Sequence, residues 1–241
     1  DEETDVVPES AKKALAAAKE KGHLLFICSG RCLAIIPQNV VELGFDGLIG
    51  GCGTYIEMEG KEVYHHTLPM ELQKEIIKDL EKYHIDGVLE GKDCSAFRRD
   101  YWMPKVVSIF TENGSFTART QCSFDKMALW FDETSDMAAF RKKYETQFDF
   151  IERDPTFYEV VPKGISKATG IEKVCEMLLI DKEDTIGFGD SANDVSMLAC
   201  VNTSVAMGSG NPILFDKVTL VTDGVMEDGI AHAIEKLGLL E

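Results

Sequence analysis

Apolar and polar positions along this chain follow two rhythms. Residues 8–22 (PESAKKALAAAKEKG) carry Ala and Leu through a helical stretch, with Pro8 suited to its first turn and Gly22 to its stop. HLLFIC follows, a short, largely apolar run that reads as a buried parallel strand. The tripeptide SGR comes next, then a second helical pattern ending at Gly44 and a short GLIG strand. Alternation of strand and helix is the signature of a parallel sheet covered by helices. It returns after residue 162, with a helix over 169–179, the strand TIGFG, a helix from Asn193, two short strands and a final helix over 227–237.

The middle of the chain differs. TYIEMEGKEVYHH alternates about a Glu59-Gly60 turn and predicts a hairpin. Beyond it, helices over 70–83 and 135–144 mix with strands such as VVSIF, KMALWF and YEVV. That α+β stretch is long enough for a small domain. The pattern therefore predicts an α/β domain from residues 1–67 and 160–241, interrupted by an α+β domain over 68–159.

Composition narrows the classes. With 44% hydrophobic residues among 241 the chain is not disordered, and its apolar runs are too short to span a membrane. The acidic opening residues do not form a signal peptide. The balance of 25 basic against 42 acidic residues gives −17, a field that repels nucleic acid and anionic membranes. Any site for an anion must then be built locally. The seven cysteines are scattered and form no pair of CxxC motifs, so they read as small buried hydrophobes in a reducing cytoplasm.

Ligands of open parallel sheets bind outside the carboxyl ends of the strands, and three polar groups fall at such places. Ser29-Gly30-Arg31 follows HLLFIC; its hydroxyl and N–H groups suit phosphate oxygens, or alternatively Ser29 caps the next helix and Gly30 makes its turn. Lys167 follows Ser166, a candidate N-cap, so its charge opposes the helix dipole unless an anion lies between; otherwise it is a solvated surface lysine. In GFGDSANDVSML an apolar strand runs into Asp190, with Asn193 and Asp194 close behind. Clustered oxygen ligands there suit a hard cation such as Mg²⁺ when phosphate completes its shell, although a capped helix start would also use these residues.

SGR after HLLFIC, Lys167 in GISKATG and the GDSAND element resemble motifs two, three and four of the haloacid dehalogenase superfamily. The hairpin and middle segment resemble its Cof-type phosphatases with the larger α/β cap, and the likeness covers essentially the whole chain. It implies a Rossmann-like parallel-sheet core with an inserted α+β cap. The activity implied is Mg²⁺-dependent hydrolysis of small phosphorylated metabolites, sugar phosphates or phosphorylated cofactors, through an aspartyl-phosphate. On that resemblance Asp190 holds the metal and Asp194 acts on it through a water. Ser29, the Gly30 N–H, Lys167 and Asn193 hold the phosphoryl oxygens, and Lys167 also neutralises the nucleophilic carboxylate. Ser29, Lys167, Asp190 and Asp194 form the implied catalytic set. Arg31 is a structural ion-pairing candidate, and Arg98, Arg99, Tyr101, Trp102 and Arg119 are cap candidates for substrate choice.

The chain departs from the family in two places. The first motif, Asp-x-Asp-Gly-Thr, is absent: Asp1, Glu2, Glu3 and Asp5 follow no apolar strand. The resemblance then places nucleophile and acid/base aspartates upstream of Asp1, on about 10–15 further residues, a strand and its loop. That strand is central in the family, so a break one strand wide is expected beside Ser29 and Asp190. Cys52 also stands where many relatives carry Asn in an Asn-Gly-Ala element. Two other readings stay open: a non-catalytic relative that binds phosphate or a partner, and a receiver-like or nucleotide-binding α/β protein. Against the second stands the lack of G-x-G-x-x-G or a Gly-rich Lys-Ser/Thr loop.

Overall fold

Residues 6–92, 95–97 and 123–241 are described by a computed structural model. Pro8 precedes helix α1 (Glu9–Glu20), which buries the small residues Ala11, Ala14 and Ala18. HLLFIC pairs only over its last three residues, β1 (Phe26–Cys28). The helical pattern after it is shorter than expected, a 3₁₀ turn at Leu33–Ile35 and then α2 (Gln38–Val41). Pro37 is the reason, because the residue before a proline is driven out of helical geometry, and Ile36 is extended. The buried β2 (Gly47–Gly50) runs parallel to β1. β3 (Tyr55–Met58) and β4 (Lys61–His65) add the expected hairpin, whose turn residues Glu59 and Gly60 both have positive φ. The four strands lie in the order β1-β2-β3-β4.

The chain then builds α3 (Met70–Lys82), β5 (Asp86–Glu90), β6 (Ser95–Phe97), β7 (Lys126–Trp130), α4 (Met137–Tyr144), β8 (Phe148–Asp154) and β9 (Phe157–Pro162). Its five strands make an antiparallel sheet ordered β6-β5-β7-β9-β8. β8 is a strand that the pattern of FDFIERD did not announce, because its residues are mostly half-buried and partly charged. VVSIF and the candidates Arg98, Arg99, Tyr101, Trp102 and Arg119 lie outside the described residues.

The last part returns to parallel geometry. It comprises α5 (Lys167–Leu178), β10 (Ile186–Gly189), α6 (Val195–Cys200), β11 (Thr203–Ala206), β12 (Leu220–Val221) and α7 (Gly229–Lys236). β10, β11 and β12 pair in parallel. Among the described residues β1 pairs only with β2 and β10 only with β11, so these strands belong to two sheets. The sheets still share an interior. Cys28 and Ile171 pack both on Ile49, Ile56 and Val174 and on Met197, Leu198, Ala206 and Leu214. Among the described residues no helix is long and apolar enough to cross a membrane.

The largest apolar cluster lies between α3, α4 and the antiparallel sheet, where Ile76, Leu80, Phe140, Tyr144, Phe148 and Val160 are buried. A polar clasp closes it: Tyr144 Oη donates to Asp79 Oδ2 at 2.7 Å, and Lys143 pairs with the same oxygen. Phe140 is fully buried in this cluster, so removing its ring leaves a cavity. Phe140→Ala is expected to cost about 3–5 kcal/mol, measured as a lowered denaturant midpoint for the transition of this sheet.

Candidate active site

The SGR turn is tied to the end of β2 by backbone bonds. The Ser29 N–H donates to Ile49 O at 2.8 Å, the Gly51 N–H to Arg31 O at 2.8 Å and the Cys52 N–H to Ser29 O at 3.1 Å. Ser29 Oγ accepts the Arg31 N–H at 3.1 Å, which orients the hydroxyl. Gly51, Cys52 and Gly53 all have positive φ, and for Cys52 this costs roughly 1–2 kcal/mol. A Cβ on Gly53 would lie 2.3 Å from Ser166 O, so only glycine lets this turn touch the start of α5.

That contact seats Lys167. Ser166 caps α5 by accepting the Thr169 N–H, and the Thr169 hydroxyl returns the bond to the Ser166 N–H. Lys167 is 6% exposed rather than solvated. Its Nζ donates to Asp194 Oδ1 at 2.6 Å and to Asn193 Oδ1 at 3.3 Å. Burial works against the ammonium, but Asp194 outweighs it and holds the Lys167 pKa above its ordinary value. Asp194, 4% exposed, accepts the Asp190 and Ser191 N–H groups on Oδ2, each at 3.0 Å. Its carboxylate thus fixes both the lysine and the turn that carries Asp190, which is itself exposed.

Ser29, Gly30, Arg31, Lys167, Asp190, Asn193 and Asp194 all line one cavity of about 470 Å³ at the ends of β1 and β10. Its other wall comes from the antiparallel sheet and was not foreseen. Glu90, Lys126, Arg153 and Glu159 lie there with Ala128 and Phe157. Glu159 Oε1 accepts from Lys126 Nζ at 2.8 Å and from the Cys52 thiol at 3.0 Å, while Arg153 closes on Oε2. Burial alone would raise the Glu159 carboxyl, yet Lys126 and Arg153 lower it to about 2. A signal existed: Lys126 and Glu159 are charges inside the apolar strands KMALWF and YEVV, and such charges are seldom buried without a purpose.

Gly30 sits where the two walls meet. A Cβ there would lie 3.3 Å from Glu159 Oε1, 3.4 Å from Cys52 Sγ and 3.8 Å from Asn193 Nδ2. Burial pushes the thiols of Cys28 and Cys52 up to about 12, so neither supplies a thiolate nucleophile. No histidine is among the lining residues to activate Ser29 as a nucleophile. The arrangement is instead suited to holding an anion on a hydroxyl, backbone N–H groups and a buried ammonium, beside an exposed carboxylate. The oxygen donors fit a hard cation. Among the described residues no three His, Cys, Asp or Glu side chains cluster to hold a metal, so Asp190 would need phosphate oxygens, water or a further carboxylate beside it.

The sequence model of the haloacid dehalogenase-like hydrolases matches residues 1–234. The chain belongs to this family. It is 32% identical over 251 residues to the Bacillus subtilis protein YkrA, provisionally named a phosphatase, covering 98% of this chain and 92% of that one. It is 28% identical over 245 residues to the pyridoxal phosphate phosphatase YbhA of Escherichia coli, covering 93% and 90%. The solved structure of a subclass IIB sugar phosphatase of this superfamily superposes with a TM-score of 0.81 at 26% identity, covering 98% of this chain and 94% of that one. The fold is accordingly the haloacid dehalogenase α/β fold, a Rossmann-like core with a cap, and the chain is a hydrolase of that family.

Two outcomes follow from the geometry. Asp194→Asn leaves Lys167 buried against half a partner, and breaking such a pair costs about 3–5 kcal/mol; thermal or urea denaturation against the unchanged protein measures it. Glu159, with its carboxyl lowered in the fold, contributes stability above its ordinary value of 4.5 that is lost as pH falls toward about 2. The stability difference between the unchanged protein and Glu159→Gln is expected to shrink over that acid window and to be flat above pH 5. A difference independent of pH throughout would contradict the ionised, doubly paired Glu159.

Proposed function

We propose that the protein is a Mg²⁺-dependent phosphatase of small phosphorylated metabolites, with residues 68–159 acting as a cap over a core of residues 1–67 and 160–241. The observation that carries this reading is the convergence of Ser29, Lys167 and Asp190 on one cavity from three distant parts of the chain. A cavity of about 470 Å³ suits a small molecule. The names of the relatives, a pyridoxal phosphate phosphatase and a sugar phosphatase, favour the same substrate class. A reducing, cytoplasmic setting belongs to the same reading, in which Cys28, Cys52, Cys175 and Cys200 stay thiols.

In this mechanism the Ser29 hydroxyl, the Gly30 N–H, Asn193 and Lys167 hold the phosphoryl oxygens. Asp194 keeps the ammonium charged and aimed, which matters because phosphoryl transfer depends on positioning and neutralised charge. Asp190 would hold Mg²⁺, which would supply further charge neutralisation for the transferring group. The attacking carboxylate is an aspartate upstream of Asp1, on a strand placed between β1 and β10. The separate pairing of those two strands supports this. The aspartate takes the phosphoryl group as the alcohol departs, and water then releases phosphate.

A phosphate-binding relative without turnover is the second reading, favoured by the lack of an activated nucleophile among the described lining residues. One assay separates them. The full-length protein with Mg²⁺ should hydrolyse p-nitrophenyl phosphate, chelation should stop it, and Asp190→Ala should lower kcat/KM by well over tenfold. A variant within tenfold has lost less than about 1.4 kcal/mol of transition-state stabilisation, and Asp190 would then not hold the metal. No hydrolysis at all by the unchanged protein would leave the binding reading in first place.

A further inference from the structure

The turn at 51–53 carries a single side chain between two glycines, and that side chain reaches the antiparallel sheet. Cys52 is held in the left-handed region, at φ 58° and ψ 27°, while 5% exposed. A side chain kept in so unfavourable a backbone conformation needs a use. The Cys52 thiol donates to Glu159 Oε1 at 3.0 Å, and the Cys52 N–H donates to Ser29 O at 3.1 Å. One residue thus grips a carboxylate of β9 with its side chain and the peptide between Ser29 and Gly30 with its backbone. Gly30 lies beside the same contact: a Cβ there would stand 3.4 Å from Cys52 Sγ and 3.3 Å from Glu159 Oε1.

The chemistry of the contact keeps it constant. Burial pushes the thiol up to about 12, while Lys126 and Arg153 bring the Glu159 carboxyl down to about 2. Across the neutral range an uncharged donor therefore faces an ionised acceptor, the stronger kind of hydrogen bond. The thiol adds no charge beside Gly30, so it ties the two walls without competing with Lys167 for an anion. Two other contacts cross between the sheets: the Cys32 N–H meets the Glu90 carboxylate, and His65 Nε2 lies 2.7 Å from Asp125 Oδ2. Cys52 adds to these a bond to Ser29 itself.

We propose that Cys52 is a positioning residue, which seats the Glu159 wall on the SGR turn and, through Ser29 O, sets the hydroxyl and N–H groups that receive the transferring phosphoryl group. This rests on the phosphatase reading of the same cavity. Contact with the phosphoryl oxygens stays with Ser29, Gly30 and Lys167, and Cys52 acts on them through the backbone.

The test compares the full-length protein with Cys52→Ser and Cys52→Ala, in Mg²⁺, on p-nitrophenyl phosphate. Both variants carry the same left-handed backbone cost, and serine keeps a donor that alanine lacks. Lys167 keeps its bond to Asp194 in both, so KM should stay within about twofold. Misplaced Ser29 and Gly30 groups weigh on the transition state, so kcat should fall about tenfold in Cys52→Ala and return to within about threefold in Cys52→Ser. Amide exchange followed by nuclear magnetic resonance reads the seating without turnover. The Cys32 N–H is covered by Glu90, so it should exchange about tenfold faster in Cys52→Ala and at the unchanged rate in Cys52→Ser. The Ser29 N–H, bonded to Ile49 O inside the core, should keep its rate in both variants. Equal kcat in the two variants, a Cys32 amide indifferent to Cys52→Ala, or a Ser29 amide released along with it would overturn the assignment. If the unchanged protein hydrolyses no p-nitrophenyl phosphate, the phosphatase reading has failed separately. The exchange rates of Cys32 and Ser29 then decide whether Cys52 seats the wall.

Discussion

The site depends on one buried ion pair, Lys167 with Asp194. A lysine in the first turn of a helix opposes the helix dipole, and burial adds a second penalty against its charge. Asp194 offsets both at 2.6 Å. The same carboxylate accepts the N–H groups of Asp190 and Ser191, so one side chain sets the Lys167 ammonium and the turn that carries Asp190. The glycine turn at 51–53 completes the arrangement from outside by abutting Ser166. Tightening one contact therefore tightens the others, which is what a preorganised anion site requires.

A net charge of −17 sets the terms for the rest of the cavity. Ionic strength screens exposed charges within about 8–10 Å, so the distant acids matter less than groups in the walls. Two of the buried carboxylates in those walls are answered by cations. Asp194 is neutralised by Lys167, and Glu159, which comes nearest Gly30, is held by both Lys126 and Arg153. An unpaired Glu159 would place a bare negative charge directly beside Gly30.

Much of this was legible in the residues. TIGFG running into Asp190, Ser166 ahead of Lys167, and the alternation about Glu59-Gly60 each carry local chemistry that survives in the structure. Pro37 cut the second helix short by a steric rule that the apolar pattern does not display. β8 was hidden because a strand with half-buried faces lacks clean alternation. The second wall was harder still. Glu90, Lys126, Arg153 and Glu159 are charges from four strands, and only the pairings β5·β7 and β7·β9·β8 bring them side by side. Spacing along the chain carries no trace of that register.

The two walls of the cavity come from different sheets. The wall that carries Ser29 and Lys167 is fixed by backbone bonds and a buried ion pair. The opposite wall joins it through a few side-chain contacts: Cys52 with Glu159, the Cys32 N–H with Glu90, and His65 with Asp125 at 2.7 Å. Because Glu90 takes the Cys32 N–H and Glu159 the Cys52 thiol, a change at either carboxylate reaches the wall that carries Ser29 and Lys167. Glu159 carries the larger share of that coupling, since it also holds Lys126 and Arg153 and lies beside Gly30.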